Sequence, residues 1–133
     1  MADSKNPKRW LEFANMDLST AEHLLNKHPT PYEIICYLCQ QAAEKYLKGF
    51  LIARTAKEPP HIHDLDELCK LCKEISVDFS TVADICSELT EYGVQSKYPT
   101  DMAIEKDDVL QAIQDAKTLK SFLQKQAADL FPE

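Results

Sequence analysis

Two glycines in a chain of 133 residues set the tightest limit on what this sequence can fold into. Ordinary composition would give a chain of this length about nine. Glycine supplies the positive-φ positions that tight hairpins, bulges and phosphate-cradling loops demand. So few of them argue against a β-sandwich, a glycine-rich dinucleotide turn and a P-loop. What remains is a set of helices joined by proline-marked connections. The length suits one domain over residues 1–133. A domain of that size buries roughly two thirds of its surface and needs no disulfide or metal to hold it.

Hydrophobic periodicity places the helices. Asn6 is a good N-cap and Pro7 suits the first helical position, so a helix is predicted over 7–27. Trp10, Phe13, Ala14, Ala21, Leu24 and Leu25 give it one apolar face. Asp17 falls on that face and requires a partner, for which Lys45, His63 and Lys97 are the candidates. Pro29 and Pro31 end the helix. The next helix, 32–54, has an apolar arc (Ile35, Leu38, Cys39, Ala42, Ala43, Tyr46, Leu47, Phe50) wider than a surface helix needs. It is expected at the centre, packed by several neighbours or by a second subunit. Gln40, Gln41, Glu44, Lys45 and Lys48 form the opposite strip, which reads as a solvated face with a Glu44–Lys48 ion pair. Asp64 followed by Glu67 resembles a capping box and opens a third helix reaching 75. A fourth is predicted over 80–92, stopped by Gly93, and a fifth over 105–130 after a loop at 94–104. The expected fold is an all-α, four-to-five-helix up-and-down bundle.

Charge and targeting signals narrow the setting. The formal net charge is −7. Residues 67–133 carry seven Lys/Arg against thirteen Asp/Glu, so a broad surface coating a nucleic-acid backbone is not expected. No stretch reads as a secretory leader or a membrane span, which points to a cytoplasmic chain with reduced cysteines and no membrane partner.

Several groups of residues bear on chemistry. Cys36-x₂-Cys39 and Cys69-x₂-Cys72 have the spacing of a four-thiolate zinc site. Both pairs lie within helix patterns rather than on tight turns, and Cys39 and Cys72 fall on core faces, so core packing is expected and no metal site is assigned. Arg54 and His61 are the residue types of a metal-independent ribonuclease, a cation for phosphate charge and an imidazole for proton transfer. The plainer reading has Arg54 at the end of its helix and His61 in the proline turn. His63 beside Asp64 is either a titrating pair or a helix cap with its turn residue. Lys97-Tyr98-Pro99 joins a phosphate-binding charge to a ring on which a base can stack.

Taken together these residues resemble the HEPN family, a helical domain of prokaryotes and some higher eukaryotes. The resemblance rests on Trp10, Ala14, Asp17, Leu18 and Ala21, and on Cys36-Tyr37 running through Gln40-Gln41-Ala42-Ala43-Glu44-Lys45 to Leu47-Lys48. It continues through His63-Asp64-Leu65, Leu68, Tyr92 and the Lys97-Tyr98-Pro99 loop. The resemblance implies a helical bundle that is often a homodimer, frequently encoded beside a minimal nucleotidyltransferase, and that binds nucleotides or acts on RNA. Two departures matter. Lys97 stands where the family loop usually has Arg, which keeps the charge and loses the bidentate fork. The ribonuclease-toxin branch carries its Arg and His late in the domain, whereas Arg54 and His61 lie in the early half. The expectation is therefore a non-catalytic module of a toxin–antitoxin-like or stress-related pair. Lys97, Tyr98, His63 and Asp64 would form the pocket for a nucleotide such as ATP or GTP, with Lys45 and Lys48 as nearby phosphate-attracting charges. An endoribonuclease using Arg54 and His61, and a purely structural interaction domain using the apolar face of the second helix, are the rival readings.

Overall fold

The first helix begins where its cap and proline put it. In the computed structural model, which describes residues 5–93 and 104–131, α1 spans Pro7–Leu24 and the Asn6 side chain accepts a hydrogen bond from the Lys8 N–H at 3.1 Å. The helix gives way to turns three residues before the expected end, and Leu25, Asn26 and Lys27 each bond to the carbonyl three residues back. α2, Tyr32–Thr55, ends on Ala56, whose φ of 58° is left-handed. That is the usual place for a C-terminal glycine, here filled by a residue with a Cβ. α3, Leu65–Ile75, is capped by Asp64 as the sequence reads, its carboxylate accepting from the Asp66 N–H at 2.8 Å. The reciprocal contact expected from Glu67 has its counterpart elsewhere: Asp108 accepts from the Glu105 N–H at 2.9 Å at the start of α5, Lys106–Gln126.

The segment expected as one fourth helix is composite. A 3₁₀ turn, Val77–Val82, leads into α4, Ala83–Thr90, and a second, Glu91–Gly93, closes it. Gly93 does not act as the left-handed stop predicted from sequence, since neither glycine has a positive φ. A Cβ there would come within 3.2 Å of the Gln40 amide, so the turn needs glycine for close approach. A third 3₁₀ turn, Ala128–Leu130, follows α5. Among the described residues there is no strand, and the fold is an all-α bundle.

α2 is the axis of the bundle. It packs against α1, α3, α4 and α5, and 14 of its 24 residues are buried. Its wide apolar arc is thus covered within the chain, which removes it as the contact surface of an interaction domain. Phe50 and Phe79 meet at a tilt in the core and partly buried Phe122 meets Phe79 edge-on, with centroid separations of 4.7 and 4.9 Å. The fully buried rings of Phe50 and Phe79 each contribute roughly 1.5–3 kcal/mol. Gly49 lets α1 settle close to α2: a Cβ at this position would stand 3.0 Å from Leu11 Cδ2.

All five cysteines are buried free thiols within this core. Cys69 donates to the Phe79 carbonyl and Cys72 to the Leu47 carbonyl, each at 3.7 Å. Burial pushes the Cys36 and Cys39 thiols up to about 12. They behave as core filler.

Candidate functional site

A cleft of about 490 Å³ opens between the first half of α2, the connection into α3 and the end of α4, lined by Tyr37, Gln40, Gln41, His63, Asp64, Thr90 and Gly93. Its walls are held by linked hydrogen bonds. Gln40, only 1 % exposed, donates from Nε2 to the His63 carbonyl at 3.1 Å and accepts from Gln41 Nε2 at 2.8 Å. Thr90 Oγ1 accepts from the Leu65 N–H at 2.9 Å, tying the start of α3 to the end of α4. Asp64, whose carboxylate caps α3, also lines the cleft.

Behind the cleft lies a buried charge chain. Glu44 Oε2 receives Lys48 Nζ and His63 Nδ1, each at 3.0 Å. A carboxylate held by an ammonium can only accept, so His63 donates to it from Nδ1. Lys48 Nζ also sits 5.8 Å from the Trp10 ring centre, on the face that attracts cations. Glu44 Oε1 is buried without a hydrogen-bond partner. This corrects the sequence reading of a solvated strip. The ion pair exists, but Gln40, Glu44 and Lys48 are buried beneath Trp10 and the connection holding His63.

The expected site residues separate on this scaffold. His63 and Asp64 are brought together in the cleft. Lys48 is consumed by Glu44, and Lys45 is paired with Asp17, the partner that the misplaced carboxylate required. Neither lysine lines the cleft as a free phosphate-attracting charge. Lys97 and Tyr98 lie outside the described residues. Arg54 stands fourteen residues beyond Gln40 on α2, about 21 Å along the axis. Its guanidinium grips both carboxylate oxygens of Asp129 at 3.2 and 3.3 Å, and lies over the Phe50 ring. That guanidinium holds the Asp129 carboxyl below the usual carboxylate range. No hydrogen bond joins Arg54 to the exposed His61. Residues that sequence reasoning left out of the site are Tyr37, Gln40, Gln41, Glu44 and Thr90. The polar run at 40, 44 and 48, one turn apart along α2, is the signal that marks Gln40 and Glu44; nothing comparable marks Tyr37, Gln41 or Thr90.

A shallower hollow on the other side of α4 is lined by Asp84, Glu88, Gln111 and Asp115. Burial pushes the Asp115 carboxyl up, a hydrogen bond from Gln111 at 2.8 Å lowers it in part, and Glu88 raises it further. Among the described residues no group of three or more His, Cys, Asp or Glu is gathered as a metal ion would need, and no helix is long and apolar enough to cross a membrane.

The HEPN domain family model matches residues 7–126. The fold is similar to the crystal structure of TT1696 from Thermus thermophilus, with a TM-score of 0.71, 24 % identity, and coverage of 90 % of this chain and 98 % of that one. No curated protein matches the sequence.

Proposed function

The chain belongs to the HEPN domain family, and on that premise we propose that it is a non-catalytic, nucleotide-binding module that dimerises and serves a minimal nucleotidyltransferase, as in a toxin–antitoxin-like or stress-related pair. The observation that carries this reading is the cleft between α2, α3 and α4. It is large enough for a small ligand, bordered by part-buried hydrogen bonds, and edged by His63 and Asp64. The absence of a joined Arg54 and His61 favours binding over cleavage, because the guanidinium that would meet a phosphate is occupied by Asp129. Lys97 remains the residue proposed to meet a nucleotide's phosphates.

Calorimetric titration with ATP and GTP is the test. Heat with either nucleotide, lost in His63→Ala, is the expected result; silence with both, together with no thermal shift, overturns it. Light scattering addresses the dimer, for which a clean 15.2 kDa species at micromolar concentration is the contrary result.

A further inference from the structure

The cleft itself indicates which part of a nucleotide it takes, an inference that rests on the nucleotide-binding reading and sharpens it. Among the described residues no Lys or Arg lines the cleft, and its one formally charged lining group is the Asp64 carboxylate. The nearest lysines on α2 are neutralised, Lys48 by buried Glu44 and Lys45 by Asp17. A phosphate placed here would lie beside the Asp64 carboxylate with no described lysine or arginine to offset it.

The lining groups suit a neutral, hydrogen-bonding ligand. Gln40 spends its amide on its neighbours and thereby fixes Gln41, whose Nε2 is held at 2.8 Å by Gln40 Oε1. Gln41 still offers its carbonyl oxygen and a second N–H, the donor–acceptor pair with which a primary amide reads an adenine edge. The Asp64 carboxylate adds acceptors suited to amino and hydroxyl groups, the His63 ring adds a polar edge, and Thr90 adds a hydroxyl. Tyr37, 42 % exposed at the rim, provides an aromatic face for stacking. A volume of about 490 Å³ is in the range of small-ligand pockets.

We infer that this cleft recognises the nucleoside part of its ligand, with an amino-bearing base on Tyr37 and Gln41 and the ribose toward Asp64, and that phosphates lie outside it. Titration of the full chain with adenosine, AMP and ATP separates this from the broader proposal. Adenosine should bind within about threefold of ATP, and inosine, which lacks the amino group, about tenfold more weakly. Tyr37→Leu at the exposed rim should weaken adenosine by about tenfold with an unchanged melting temperature; Gln41→Leu should weaken it as much, at a lower melting temperature because buried Gln40 Oε1 loses its donor. ATP binding without adenosine binding, or equal affinity for adenosine and inosine, overturns this inference and leaves nucleotide binding standing. If neither ATP, GTP nor adenosine binds, both fall.

Discussion

Replacing Lys48 by methionine would test whether the charge chain behind the cleft is held by mutual compensation. Lys48 and Glu44 are 5 % and 6 % exposed and meet at 3.0 Å. Removing the lysine strands a carboxylate whose Oε1 has no partner and whose Oε2 keeps only His63. Breaking one side of a buried pair costs about 3–5 kcal/mol. The retained His63 contact, at the exposed edge, places Lys48→Met near the lower end, about 3 kcal/mol. Glu44→Met strands the ammonium, which keeps the face of Trp10 at 5.8 Å, so its cost should be smaller, about 2 kcal/mol. The double replacement leaves no uncompensated charge and fills similar volume. It should cost no more than about 2 kcal/mol, giving a coupling of about 3 kcal/mol. Urea unfolding followed by circular dichroism measures all four proteins, with a constant m-value as the check that the unfolded states are comparable. Additive costs, with the double variant as unstable as the sum of the singles, would refute mutual compensation.

Other expectations follow from single features. Ala56→Gly should stabilise by about 1 kcal/mol, read as a higher melting temperature, because glycine removes the Cβ strain at a φ of 58°. Gly49→Ala should destabilise by about 1 kcal/mol, since the new methyl meets buried Leu11 at 3.0 Å and that overpacking outweighs the gain in helix propensity. Asp115→Asn should raise stability at neutral pH. The folded carboxyl is shifted upward by burial, so ionising it costs folded-state stability as pH rises from the unfolded value of 3.8 through the folded one; the variant's advantage should vanish below that window. A thiol reagent should find almost nothing to modify in the native protein and all five cysteines in guanidinium chloride.

The sequence carries the helices well because their boundaries are local. Asn6 with Pro7 and Asp64 are caps whose effect depends on near neighbours, and each is found in place, while α1 stops at Leu24, before Pro29 and Pro31. It misreads the fourth helix because Val77–Val82 and Glu91–Gly93 choose 3₁₀ geometry through their packing, a tertiary effect. The site is legible in part for the same reason. His63 and Asp64 are adjacent in sequence and stay adjacent in the cleft. Which carboxylate takes Lys45, or that Lys48 is buried, depends on α1 lying across α2. A helical wheel for α2 alone has no information about Trp10.

The central position of α2 also governs how the molecule opens. Every other helix rests on it, so its middle turns have no separate route to solvent. The amide protons from Cys39 to Phe50 should then exchange only when the whole bundle unfolds, with protection equal to the global stability. The turns at 25–31 and 128–130 should exchange by local fraying. Gln40 and Gln41 belong to that slowest-exchanging unit. The α2 edge of the cleft is therefore as permanent as the fold, and a ligand of the proposed kind would bind there without a prior opening step.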